Sequence, residues 1–440
     1  MKKSLLLVLV ALFAITTSTA QTSREDIDAN PHVALATHST YAGPYYAKPI
    51  ASAPNGYKPF YISHYGRHGS RYESRPIYTA NFAKFFNIAD SLGILTAKGK
   101  EVKDVANKIH SVYANRSGEL TRVGAEQHKG IARRMYERFR PVFRRGAIIN
   151  SRSSTYTRCI LSMAAFNESL KECEPLLETR LQASETDQRM IRPLGKNNTA
   201  YDHDYRAGLL THEWIKTLND WMSKQDFSHS INTVFTDIEP ICKYYNQDAA
   251  ALMLNIYKRL AFMQNLGWHD RSLLDSIFTP EERHAIYRAE NYRWFCAYAG
   301  SSLPDSKKYL SPMHLLVDDI VKYADLAIEG KNSASADLRF GHDYYLLGLL
   351  ATINFNEIKM DYDYSDVEKL GEEWRSHKFI TMASNIQFVF YRSKKCSDVL
   401  VRILHNENDV TLPIESATAP FYKWEDVRKY MIERADSFRK

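Results

Sequence analysis

Three short apolar runs, each ending in a polar or charged loop ahead of a helical pattern, restrict the fold more than any other feature of this chain. The first, Pro59–Ser63, contains Phe60-Tyr61-Ile62 and leads to Arg67-His68-Gly69-Ser70-Arg71-Tyr72. The second, Ala147–Asn150, leads to Ser151-Arg152-Ser153-Ser154, and the third, Asp337–Gly341, leads to His342-Asp343. Short aromatic and β-branched runs bounded by glycine read as buried strands. Helical periodicity fills residues 74–92, 97–113, 124–139 (with Thr121 as N-cap), 155–170 and 344–353. Strand, loop and helix in this order predict an α/β fold with functional loops at the strand ends. Two further β-branched runs, 385–391 and 399–404, read as a hairpin before a last helix over 423–438.

Between residues 172 and 323 long polar helical patterns take over, rich in Tyr, Trp and Lys. The expected layout is therefore a three-layer α/β domain with a central, mostly parallel sheet and an inserted, mainly helical domain. Residues 21–171 form the first part, 172–323 the insertion and 324–440 the second part. At 440 residues and 44% hydrophobic content the chain has enough apolar mass for cores of that size.

Lys2 and Lys3, the apolar run Leu5–Ile15 and the small residues Ser18-Thr19-Ala20 form a secretory signal over residues 1–20, too short to span a bilayer. The expectation is export to the periplasm or the extracellular space, with no membrane attachment after cleavage. Losing Lys2 and Lys3 takes the formal charge from +7 to +5, which favours anionic partners without naming them. The chain has no basic block with interleaved aromatics, so nucleic acid is not an expected partner. The five cysteines have no zinc-site spacing, and both free thiols and disulfides fit an exported chain.

Chemistry concentrates in Arg67-His68-Gly69-Ser70-Arg71. Phosphate-ester cleavage needs charge neutralisation, an in-line nucleophile and a proton for the leaving oxygen. Arg67 and Arg71 can fork onto phosphate oxygens, and Gly69 lets the backbone turn beside a bulky dianion. His68, neutral on its attacking nitrogen, can form a phosphohistidine if a backbone carbonyl holds the proton of its other nitrogen. Arg158 opens a helix, where phosphate is already favoured. His342 can bind a phosphate oxygen and Asp343 can carry the proton for the leaving alkoxide. Taken singly, Arg158 reads as a surface residue and His342-Asp343 as a helix cap. Three loops at three strand ends reverse that reading.

These motifs resemble the histidine acid phosphatase branch of the histidine phosphatase superfamily, most of all its multiple inositol polyphosphate phosphatases. Arg67–Arg71 matches the Arg-His-Gly-x-Arg signature, Arg152-Ser153-Ser154 with Arg158–Phe166 the second element, and His342-Asp343 the third. Weaker similarity covers Leu120–Gly124 with Gln127-His128, and Leu404–Glu407 with Leu412-Pro413 and Phe421-Tyr422-x-Trp424. The resemblance implies the histidine phosphatase fold and a phosphomonoesterase acting on inositol polyphosphates such as phytate. It implies His68 as nucleophile, Asp343 as proton donor, and Arg67, Arg71, Arg158 and His342 as phosphate ligands. It implies no metal or organic cofactor. Two departures stand out: Tyr72-Glu73-Ser74 follows the second arginine where many members have Tyr-Pro-Thr, and His342-Asp343 stands where animal-type members have His-Ala-Glu. Extra cations for a polyanion are sought in Arg152, Arg189, Arg192, Lys196 and His203, each of which reads equally well as solvated surface. Three other readings remain open: a broad acid phosphatase, a phosphomutase, which export disfavours, and a non-catalytic phosphate-binding protein, which would lack the nucleophile or the acid.

Overall fold

The computed structural model describes residues 22–41, 50–193 and 213–439. Its centre is an eight-stranded sheet: β1 (Tyr57–Arg67), β2 (Ile148–Ser153), β3 (Glu178–Gln182), β4 (Ala334–Gly341), β5 (Asn385–Ser393), β6 (Leu400–His405), β7 (Asn408–Val410) and β8 (Phe421–Lys423). The order is β3-β2-β4-β1-β5-β6-β7, with β8 also on β6. From β3 to β1 neighbouring strands are parallel, and from β5 onward they are antiparallel. The α/β expectation holds, with a parallel core and an antiparallel flank.

Register places the loops after β1, β2 and β4 side by side. Arg67 pairs with Gly341 and Ser153 with Phe340, so β1, β4 and β2 end at one level. The expected strand 59–63 continues to Arg67, and 147–150 continues to Ser153. Both extensions look too polar for strands, but neighbours on either side satisfy their backbone groups, and that decides the matter.

Side chains along β1 alternate between the two faces. Tyr61 and Tyr65 join the core under helices His314–Ile328, Asp343–Ile353 and Trp424–Arg439. Ile62 joins the opposite core with helices Arg122–Arg138 and Thr157–Cys173. A third core joins helices Pro76–Ser91 and Ala97–Tyr113 to Ser228–Val234, Ala249–Ala261 and Pro280–Trp294.

Two sequence expectations need correction here. β3 lies inside the stretch read as helical from residue 172; it is a mostly exposed edge strand, so it lacks the apolar pattern of a buried one. The helix His314–Ile328 crosses the expected boundary at 323/324 without a break.

Beneath the active loops two histidines are buried against Phe166 and Phe340. Burial pulls both His64 and His128 down to about 3. The unfolded chain therefore takes up protons below the ordinary histidine value of 6.5 while the folded chain does not, and stability falls as pH drops from 6.5 toward 3. Each histidine contributes about 1.4 kcal/mol per pH unit to that slope. Urea unfolding between pH 6 and 5 should show the slope, and His128→Phe should reduce it by about one histidine's share; an unchanged slope counts against this account.

Candidate active site

The nucleophile candidate is clamped by backbone. The Arg67 N–H donates to the Ser384 carbonyl at 2.8 Å, the His68 N–H to Gly341 at 3.0 Å, and the Ala383 N–H to the His68 carbonyl at 3.0 Å. His68 Nδ1 faces the Gly69 carbonyl at 2.9 Å. Only a protonated Nδ1 can donate there, which leaves the lone pair on Nε2. Burial, then Arg158, Arg67 and Arg71, push His68 well below its ordinary pKa, so the ring is neutral.

The loop's shape depends on two glycines. A methyl at Gly69 would run into the Gly124 backbone, with Gly124 Cα at 2.7 Å, and one at Gly124 would strike Ser70. The chain passes backbone against backbone here, at the start of helix Arg122–Arg138. Thr121 caps that helix through Gly124 N and donates from its own N–H and hydroxyl to the Ser70 carbonyl at 2.9 and 3.0 Å. Gln127 accepts from Ser70 N at 2.8 Å and donates to its hydroxyl at 3.0 Å. The Leu-Thr-x-x-Gly segment is thus the seat of the loop that carries His68.

A cavity of about 510 Å³ opens above His68. Arg71, Arg158, His342 and Asp343 line it together with His68. Arg71 is buried, donates to the Tyr72 carbonyl at 3.0 Å and lies 5.6 Å over the Phe262 ring. Arg158 stands in the first turn of helix Thr157–Cys173, 4.6 Å over Tyr156, and donates to His342 Nδ1 at 3.3 Å. The other His342 nitrogen faces Ser154 Oγ at 3.0 Å. Asp343 begins helix Asp343–Ile353 and accepts from Arg67 Nη2 at 2.7 Å.

Arg67 differs from the sequence expectation. It is fully buried beneath the lining, where its guanidinium donates to Asp343 and to the Thr37 carbonyl. Burial lowers it to about 10, so it remains charged. It acts on the cavity through Asp343 and through its field.

The helical region supplies cations that sequence reasoning missed. Lys258 and Arg259 from helix Ala249–Ala261 and Arg293 from helix Pro280–Trp294 line the wall, with His38, Tyr78, Trp294, Tyr298 and Tyr344. Five cations thus face two carboxylates, Glu73 and Asp343. Buried Glu290 joins Lys258 at 2.5 Å and Arg293 at 3.0 Å. Burial alone would raise Glu290, but those two cations outweigh it and hold the carboxylate well below the usual range. In sequence these cations resemble any charged helix face, and only packing assigns them to the site.

The cations proposed from sequence fare otherwise. Arg152 does not line the cavity; its buried guanidinium pairs with Asp319 at 2.6 Å and Asp187 at 3.5 Å. It is an internal tie, since two carboxylates already hold its donors. Arg189 is exposed on helix Glu185–Ile191 and also lies off the lining. Arg192 shares the Tyr156 ring with Arg158, at 4.6 Å, but is not part of the wall. Lys196 and His203 lie outside the described residues. Among the described residues no group of three or more His, Cys, Asp or Glu could hold a metal, all five cysteines are free, and no helix is long and apolar enough to cross a membrane.

Residues 66–406 match the family described as histidine phosphatase superfamily (branch 2). The chain belongs to that family. Comparison of the sequence with curated proteins returns no match. Among solved structures, the phosphate complex of multiple inositol polyphosphate phosphatase from Bifidobacterium longum superposes with TM-score 0.70 at 20% identity, covering 90% of this chain and 97% of that one. Its complex with inositol hexasulfate gives 0.69 at 18%, over 90% and 96%. The phytase from D. castellii gives 0.64 at 11%, over 92% and 85%. At these identities the likeness concerns the fold. As a histidine phosphatase of branch 2 with this site, the protein is a phosphomonoester hydrolase of the histidine acid phosphatase type.

Within this histidine phosphatase the glycine crossing is testable. Gly124→Ala should cost about 2–3 kcal/mol of stability by overpacking and about 100-fold in turnover by displacing the His68 loop. Gly130→Ala on the same helix, where a methyl meets only the end of the Arg134 side chain, is the control and should be mild. Equal effects in thermal melts and assays would refute the seat assigned to Gly124.

Proposed function

We propose that this histidine phosphatase removes phosphate from inositol polyphosphates such as phytate through a phosphohistidine on His68. The observation that carries the reading is the neutral His68, with Nε2 unprotonated, beneath a cavity lined by five cations. A cavity of about 510 Å³ lies within the range of small-molecule sites and exceeds what one phosphate needs. The inositol hexasulfate bound by the B. longum protein of the same fold supports an inositol ring with many anionic groups as the ligand class.

Two displacements complete the reaction. Asp343, ion-paired with Arg67 in the free enzyme, takes up a proton as the anionic ester binds; His68 Nε2 then attacks phosphorus and the P–O bond to the leaving group breaks as Asp343 gives that proton to the leaving oxygen. Asp343, now a carboxylate, takes a proton from water; the water oxygen attacks phosphorus, the P–N bond breaks and inorganic phosphate leaves. Arg71 and Arg158 hold the equatorial oxygens, where charge accumulates. Arg67 positions Asp343, and His342 positions Arg158. Export through the leader at residues 1–20 remains part of this proposal, and it would give the enzyme access to phosphate esters outside the cytoplasm.

The deciding experiment is phosphate release from phytate by the mature protein in the presence of a chelator, alongside His68→Ala. Release that resists the chelator and vanishes in the variant is expected. Cleavage of an aryl phosphate with phytate untouched would assign a broad acid phosphatase, and cleavage of neither would assign a binding protein. The proton-donor role has its own test. Asp343→Asn should slow esters with poor leaving groups by roughly 100-fold or more, and activated aryl esters far less. Equal losses on both would remove Asp343 from that role.

A further inference from the structure

Glu73 is a carboxylate in a wall otherwise suited to anions. It is 8% exposed and lines the cavity on the rim of the catalytic loop. Its carboxylate stands between two cations from different parts of the fold: Arg71 Nη1 lies 3.9 Å from Oε2, and Arg259 Nη1 contacts Oε1 directly. Its backbone carbonyl accepts from Gly118 N at 2.8 Å, which fixes its place. Glu290 bridges Lys258 and Arg293 in a similar way but is not part of the lining.

We propose that Glu73 is a specificity-determining residue that competes with substrate phosphate for Arg71 and Arg259, and so sets the preference between singly and multiply phosphorylated esters. The proposal rests on the reading that this cavity binds phosphate. A single phosphate above His68 meets Arg71, whose contact with Glu73 is already long. A ligand that also places a second phosphate at Arg259 must displace Glu73 from its close contact. The exchange puts one anion on Arg259 in place of another and leaves a carboxylate facing the incoming phosphate in a half-dry wall. Like charges at that range repel appreciably near a protein surface. Glu73 therefore reduces what each further phosphate gains, and restrains a site that would otherwise favour the most highly charged ligand.

The test is calorimetric titration with inorganic phosphate and with myo-inositol hexakisphosphate. It uses the His68→Ala protein, so that the hexakisphosphate is not consumed, and compares Glu73 with Glu73→Gln and Glu73→Asp in that background. Glu73→Gln should tighten the hexakisphosphate roughly fivefold, the scale of one like-charge contact, and inorganic phosphate by less than about twofold. Glu73→Asp, which keeps the charge, should stay near the parent. Unchanged or weaker hexakisphosphate binding in Glu73→Gln would make Glu73 a brace for the two arginines and overturn the proposal, as would equal gains for both ligands. Binding of neither ligand by the parent would instead remove the phosphate-site reading itself.

Discussion

The structure depends on holding a concentration of permanent positive charge around one neutral imidazole. Arg67, Arg71 and Arg158 press on His68 from its own side, and Lys258, Arg259 and Arg293 stand on the same cavity wall. Guanidinium groups packed this way repel strongly once water is excluded. The fold offsets the repulsion with carboxylates: Asp343 on Arg67, Glu73 on Arg71 and Arg259, Glu290 on Lys258 and Arg293. Carbonyls of Thr37 and Tyr72 take further donors, and the faces of Phe262 and Tyr156 cover Arg71 and Arg158. Burial first, and then the repulsion left over, keep a proton off His68, and a phosphate anion would relieve that repulsion. In the proposed reaction, binding and activation of the nucleophile thus draw on the same field.

Such a field needs rigid support, and the sheet supplies it. Because β1, β2 and β4 end in register, His68, Ser154 and His342 follow strands that cannot slide without losing ladder bonds on both sides. The Gly69–Gly124 crossing then fixes the loop from below. Neither constraint belongs to the chemistry, yet both decide where Nε2 points. This is why the segment around Thr121, Gly124 and Gln127 accompanies the catalytic one although none of those side chains touches phosphorus in the proposed reaction.

Legibility in the sequence follows how each feature is encoded. The strand-end position of the loop Arg67 to Arg71 could be read because the signature is local: five adjacent residues behind an apolar strand. The helices Ala97–Tyr113 and Arg122–Arg138 could be read because their apolar periods, and for the second its Thr121 cap, are local too. The split of β1 and β2 into apolar and polar halves was misleading, since the polar half owes its strand geometry to neighbours far away in the chain. β3 was invisible because an exposed edge needs no apolar alternation. Lys258 and Arg293 come from two separate helices, His38 from a segment more than two hundred residues earlier, and none carries a local mark of shared purpose. Arg152 misled for the opposite reason. It lies in a signature-like segment, but on the strand itself, where Asp319 takes it up from the neighbouring core.

His68 and His342 show how one field can be made to serve opposite ends. Their rings lie 5.6 Å apart, and burial followed by nearby arginines lowers both well below the ordinary range. What separates them is the partner on Nδ1. The Gly69 carbonyl can only accept, so His68 carries its proton on Nδ1 and offers a lone pair from Nε2. The Arg158 guanidinium can only donate, so His342 keeps its lone pair on Nδ1 and its proton on Nε2, directed at Ser154 Oγ. The one lone pair of His342 is therefore spent on aiming Arg158, and neither ring nitrogen is free to attack phosphorus. In the proposed mechanism a carbonyl thus gives one histidine of the pair the free lone pair of a nucleophile and a guanidinium denies it to the other, with no difference in burial required.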